Sequence, residues 1–192
     1  MTRIVIIDPQ PAARAGLAVM LRAEPGLIPV GTATGAHDGA ELVARQRPDV
    51  VLVEHHLLDG DGLGLSRRLR ALERPPQVIL YTAEPEPMLG LLARVAGAAG
   101  LVDKSAEPGE LFEAVRVVAR GGSAMPPLPA SELDAAAHRV EPDDLALLAM
   151  LADGTPPADV ADALRLDHNR VSRRTERMLG RLRARPATTV AA

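Results

Sequence analysis

The chain has 192 residues, 47% hydrophobic and 24% charged, with a net charge of −3; this is ordinary globular usage, enough for one large domain or two small ones. It contains no cysteine and no tryptophan, and only one tyrosine and one phenylalanine. That composition excludes disulfides, thiolate metal sites and a cysteine nucleophile, and it counts against an aromatic platform for single-stranded nucleic acid.

In chain order, β-branched runs appear at Arg3–Asp8, Leu27–Ala33, Val50–Glu54, Gln77–Thr82 and Gly100–Asp103. Stretches with helical spacing separate them, at Ala12–Ala23, Ala36–Gln46, Leu63–Leu72, Met88–Ala96 and Glu107–Ala119. Strands alternating with helices predict an α/β fold, a doubly wound five-stranded parallel sheet, over residues 1–120. Pro29 sits in mid-strand, which only an edge strand tolerates, so the expected order is the flavodoxin-like 2-1-3-4-5. Residues 121–139 are rich in Gly, Pro, Ser and Ala and read as a linker, with a helical turn around Ser131–Ala137. Over 140–185 the period is helical again and predicts a small all-α domain. One helix runs from Asp143 to Ala152. A second has Thr155 as cap and Pro156 at its first position, and a third is capped by Asp167 and runs from His168 to Arg183. Residues 186–192 read as a frayed tail. No apolar stretch approaches the roughly 18 residues of a membrane span, and MTRIVIIDP reads as a strand and not a secretory signal. A soluble cytoplasmic protein is expected, with no membrane partner.

Ligands of an open parallel sheet sit beyond the carboxyl ends of its strands. Asp8, Glu54, Thr82 and Lys104 stand there, so two carboxylates, a hydroxyl and an ammonium converge on one crevice. Lys104 is the only lysine among 22 basic residues, which suggests a site that a planar guanidinium would not fit. The plainer reading is chance.

These residues carry a resemblance. IVIIDPQP, DVVLVEHHLLDGDG, VILYTA and GAAGLVDKSAEPGEL resemble the receiver domain of NarL/FixJ-type two-component response regulators, over roughly the first 120 residues. The resemblance puts Thr82 and Lys104 on the family's switch threonine and phosphate-binding lysine. It puts Glu54 on the phosphoacceptor aspartate, Pro9 on the second metal-binding acid, Leu101 on the switch aromatic and Leu58 on the loop proline. An octahedral Mg²⁺ needs two or three carboxylate oxygens in near-ideal geometry. Glu54 carries its oxygens one methylene further out, and an in-line reaction displaced by about 1 Å loses about a hundredfold. Phosphorylation is therefore not expected, and a Glu54–Lys104 ion pair is expected to hold the pocket in one state, or to serve only the specificity of the fold. No catalytic residue, cofactor or metal site is assigned. Gly60, Gly62 and Gly64 do not match GxGxxG, Asp59 and Asp61 are too few for a calcium loop, and the adjacent His55 and His56 point opposite ways.

Charge is divided unevenly. The first 122 residues hold twelve Arg and one Lys against fifteen acids, whereas Leu164–Arg185 holds eight Arg against Asp167 and Glu176. On a wheel of about 100° per residue, Arg170, Arg173, Arg174, Arg177 and Arg181 share one stripe, with Val171, Thr175, Met178 and Leu182 about a third of a turn away. A solvated face normally mixes signs, so this stripe points to a polyanion. LADGTPPADVADALRLDHNRVSRRTERMLGRL resembles the LuxR-type helix-turn-helix of the same regulators. The resemblance implies double-stranded DNA as partner, with His168, Asn169, Arg170 and Arg173 nearest the bases and Arg174, Arg177 and Arg181 toward phosphates. Pro156-Pro157-Ala158 replaces a Ser-Asn-Lys stretch of the family, and Arg165 replaces a turn glycine, which is costly where φ is positive. ARPATTVAA stands where the family adds a dimerising helix, so a homodimer through the receiver is expected.

The leading expectation is a transcription regulator that works without aspartate phosphorylation, its receiver a dimerisation or sensing module with a small-molecule or protein ligand. The alternative is an interaction module that partners another regulator or kinase and does not read DNA alone. A residual aspartyl-phosphate acceptor ranks last.

Overall fold

The computed structural model describes residues 1–83 and 88–184. The described residues divide into two compact units, one up to residue 127 and one from residue 128.

The N-terminal unit is built from β1 (Thr2–Ile7), α1 (Pro11–Ala23), β2 (Leu27–Ala33), α2 (Ala36–Gln46) and β3 (Val50–Val53). A two-stranded hairpin, β4 (His56–Leu57) and β5 (Gly60–Asp61), follows. Then come α3 (Gly62–Arg70), β6 (Gln77–Thr82), α4 (Leu89–Val95), β7 (Gly100–Asp103) and α5 (Pro108–Ala119). The five sheet strands lie in the order β2-β1-β3-β6-β7 and every pair is parallel. β2 is indeed an edge. Pro29 pairs with Ile4, and the register slips immediately afterwards so that Val5 meets Gly31. A proline offers no N–H to the ladder, and the slip occurs where that donor is missing.

Alternation along the strands supplies a core on each face. Ile4, Ile6, Leu52 and Ile79 form one buried cluster with Leu17 and Leu21 of α1 and Leu111, Val115 and Val118 of α5. Ile7 points the other way, against α2, where a Cβ on Gly39 would come within 2.6 Å of Ile7 Cδ1. Only glycine lets this helix approach so closely. β3 is buried at every position, as a strand covered on both faces must be.

The expected linker over 121–139 needs correction. Ala124 N–H donates to the Ala99 carbonyl, and Leu101 N–H donates to the Ala124 carbonyl, so the stretch around Ala124 lies along β7, and residues 121–127 belong to the first unit. Residues 130–137 form a full helix, α6 (Ala130–Ala137), that buries Ala136 and packs on the helix after it. Composition suggested a free tether because Gly and Pro carry no stripe. Backbone hydrogen bonds and one buried alanine hold the segment instead.

The C-terminal unit continues with a 3-10 turn at Pro142–Asp144, then α7 (Leu145–Ala152), α8 (Pro157–Leu164) and α9 (His168–Arg183). The expected helix from Asp143 is thus split, with Asp144 N–H donating to the Glu141 carbonyl at 2.8 Å in a tight turn. The second helix begins one residue later than expected, with Pro156 in the cap position and Pro157 inside. Arg165 ends α8 at φ 52 and ψ 43, the left-handed conformation foreseen as costly. Leu147, Leu148, Leu151, Val160, Val171, Met178, Leu179 and Leu182 are buried in this unit. Arg185 and the tail 186–192 lie outside the described residues.

Candidate functional site

At the carboxyl edge of the sheet, the ladder continues past the strand ends and fixes the pocket's backbone. Asp8 N–H donates to Ala33, Glu54 N–H to Ile7 and Lys104 N–H to Thr82, at 3.1, 2.8 and 2.9 Å. Asp8, Glu54 and Thr82 are buried, and the Lys104 side chain is 14% exposed. Lys104 Nζ lies 2.5 Å from Asp8 Oδ2 and 2.5 Å from Glu54 Oε2. The remaining oxygens are also used. Asp8 Oδ1 accepts Gln10 N–H at 2.7 Å, Glu54 Oε1 accepts His56 N–H at 3.2 Å, and Thr82 hydrogen-bonds to Glu54.

The electrostatics follow from these contacts. Burial alone would raise the Glu54 pKa, but Lys104, Thr82 and the His56 N–H together hold the carboxyl below its ordinary value. Burial would lower the Lys104 pKa, but hydrogen bonds from its ammonium to Asp8 and Glu54 carry it above its ordinary value. All four residues singled out in the sequence therefore meet. Tyr81, the only tyrosine, was not singled out: its ring centroid lies 5.9 Å from Lys104 Nζ, within cation–π range. Its lone occurrence beside Thr82 was the available signal.

The hairpin beside the pocket is pinned in place. Asp59, considered above only as a calcium ligand, accepts Ala36 N–H at 2.6 Å and His37 N–H at 2.9 Å, capping α2 from another element. Asp61 caps α3 by accepting Gly64 N–H at 2.7 Å. A Cβ on Gly62 would fall 2.7 Å from the Glu54 carbonyl, so glycine is required there. Leu58, at the hairpin tip, is 84% exposed.

In the C-terminal unit, Asp167 accepts Arg170 N–H at 2.8 Å and starts α9. His168, Asn169, Arg170, Arg173 and Arg177 are exposed on this helix. Arg174 is not part of that surface. Its Nε donates to Asp144 Oδ1 at 2.6 Å, its guanidinium also reaches the Asp143 carbonyl, and its side chain is 20% exposed. Arg181 is exposed but pairs with Glu141. The wheel assigned Arg174 to the polyanion stripe because an angle alone does not reveal a neighbouring carboxylate.

Residues 4–116 match the model of the response regulator receiver domain. The chain belongs to the response regulator family. Over 194 residues it is 31% identical to the DNA-binding transcriptional activator DevR/DosR of Mycobacterium tuberculosis, covering 95% of this chain and 88% of that protein. It is 28% identical to the virulence-factor transcription regulator BvgA of Bordetella pertussis, over 95% of this chain and 91% of that one. A solved LuxR-family two-component response regulator from Aurantimonas superposes with a TM-score of 0.63 at 29% identity, covering 70% of this chain and 96% of that structure.

Within this response regulator, the donor set at the sheet edge does not fit the Mg²⁺ that receivers use. Pro9 offers no side-chain oxygen, and Asp8 and Glu54 each commit one oxygen to the Lys104 ammonium. Among the described residues, no group of three or more acidic, histidine or cysteine side chains is arranged to hold a metal. The other carboxylate oxygens, Asp8 Oδ1 and Glu54 Oε1, each already accept a backbone N–H, from Gln10 and His56. No described helix is long and apolar enough to cross a membrane.

Proposed function

We propose that this response regulator is a DNA-binding transcription regulator that works without aspartate phosphorylation. The observation that carries the reading is the Lys104 ammonium held between Asp8 and Glu54 at 2.5 Å each. A phosphorylated receiver places the lysine against an acyl phosphate; here a fixed carboxylate already takes that place. The receiver then serves as a dimerisation or sensing module, a homodimer being the default and a small-molecule or protein ligand its input. Light scattering on the full chain, without any phosphate donor, is expected to find dimers; a monomer at tens of micromolar, about the scale of modest interface affinities, counts against this part.

DNA reading is assigned to the N-terminal half of α9. His168, Asn169, Arg170 and Arg173 are the groups for base edges, and Arg177 is a phosphate contact, with Arg181 at the margin. Arg174 is withdrawn from the interface. DevR/DosR is a DNA-binding transcriptional activator, which supports DNA as the partner. Selection from a genomic fragment library, followed by fluorescence anisotropy at several salt concentrations, tests it. A salt-dependent preference for a selected duplex over a scrambled one is expected, and equal, weak binding to both overturns it.

One observation favours the interaction-module reading. Arg174 and Arg181 are committed to Asp144 and Glu141, so fewer cations remain for phosphates than the sequence suggested. That reading takes the lead if no fragment is selected.

A further inference from the structure

Residues 139–144 lie as a strap along α9. Arg139 donates to the carbonyls of Arg181, at 3.1 Å, and of Ala184, satisfying acceptors at the end of the helix. Glu141 pairs with Arg181. Asp143 and Asp144 then take the guanidinium of Arg174 through a backbone carbonyl and a buried carboxylate. The strap therefore runs antiparallel to α9 from Ala184 back to Arg174, a span of about 15 Å at the rise of an α-helix. Arg174 is one turn beyond Arg170, on nearly the same line of the helix.

We infer that Arg174 and Asp144 are positioning residues for DNA recognition, fixing the roll and depth at which α9 presents Arg170 and Arg173. The inference rests on the DNA-binding reading above. A planar guanidinium held by two acceptors resists both rotation and sliding of the helix, which a single point contact would not. Base recognition by a bidentate arginine needs that orientation, whereas phosphate contacts tolerate a shifted helix. On this assignment Arg174 acts through the orientation of α9 and makes no phosphate contact of its own.

The test uses the full chain and the variants Asp144→Asn, Arg174→Met and Arg174→Lys. Anisotropy is read on the selected and scrambled duplexes across a salt series, with amide hydrogen exchange over α9 in parallel. Asp144→Asn and Arg174→Met are expected to weaken the selected duplex about tenfold, on the scale of one lost base contact. Scrambled DNA should change by less than about twofold, with the salt slope unchanged. Arg174→Lys keeps the charge but not both acceptors and falls between. The double variant Asp144→Asn/Arg174→Met is expected to be no worse than Arg174→Met, because the two side chains act as one unit. A masked phosphate contact predicts the opposite sign: Asp144→Asn would free Arg174, tighten both duplexes and steepen the salt slope by about one. That result overturns the inference, as does wild-type binding by every variant. Should the wild type prefer no duplex, the DNA-binding reading fails. The exchange data still decide the clamp: faster exchange over 168–176 in the variants upholds it, and unchanged exchange removes it.

Discussion

Lys104 Nζ lies 2.5 Å from Glu54 Oε2, an ammonium in contact with the residue that the family resemblance sets at the phosphoacceptor position. The same nitrogen is 2.5 Å from Asp8 Oδ2, so a single cation balances two buried carboxylates. When ionised, the three groups together carry one net negative charge.

The first prediction concerns phosphoryl transfer. Acetyl phosphate with Mg²⁺ is expected to leave the protein unmodified, because the nucleophile is displaced by a methylene and a metal-binding acid is absent. Intact mass spectrometry decides it: a phosphoryl adduct on a sizeable fraction of molecules contradicts the proposal. Glu54→Asp should label only weakly while Pro9 is retained.

The second concerns pH. The Glu54 pKa is lowered on folding, so its contribution is complete above the ordinary value of 4.5 and is lost as pH falls through the folded value. The Lys104 pKa is raised, so its contribution is complete below 10.5 and is lost as pH rises through the folded value. Lys104→Met strands two buried carboxylates side by side. At neutral pH this should cost about 2–3 kcal/mol, less than for a fully buried pair because the lysine is partly exposed. The deficit should shrink as pH falls and Glu54 protonates. Urea unfolding of both proteins from pH 4 to 8 (about the span where two-state analysis and carboxylate titration overlap) measures it; a pH-independent difference refutes the linkage.

The arginines of α9 are expected to divide their work. Arg170→Ala or Arg173→Ala should weaken a selected site by about 1–3 kcal/mol more than scrambled DNA. Arg177→Ala should weaken both equally and lower the salt slope by about one. Anisotropy titrations separate the two patterns, and identical behaviour of all three variants and wild type would reduce the stripe to a solvated face.

Arg165 supplies a test on stability alone. At φ 52 its Cβ is strained, and a glycine would relieve it. Arg165→Gly is expected to raise stability by about 0.5–1 kcal/mol, the relief outweighing the extra freedom of the unfolded chain. An unchanged or lowered urea midpoint would show that the arginine makes compensating contacts.

Much of this protein was legible from sequence alone, for identifiable reasons. Strand and helix periods differ, so the alternation along residues 1–120 predicted a parallel sheet, and Pro29 predicted which strand lies at its edge. The meeting of Asp8, Glu54, Thr82 and Lys104 was legible in the sequence because strand ends in such a sheet converge by topology. Asp167 was readable as a cap because its carboxylate acts three residues away. Contacts between residues distant in the chain were not readable. The link between Asp59 and the start of α2, and the cation–π approach of Tyr81 to Lys104, depend on how loops fold back. The Arg174–Asp144 pair links α9 to the 3-10 turn before α7, and nothing in the spacing of α9 distinguishes an arginine turned inward from one facing solvent. The 121–139 segment is the same case: its composition carries no stripe, and only its backbone hydrogen bonds to β7 and the burial of Ala136 reveal that it is part of the fold. Periodicity records which face of an element is apolar, whereas long-range polar partners are set by tertiary packing and leave no period behind.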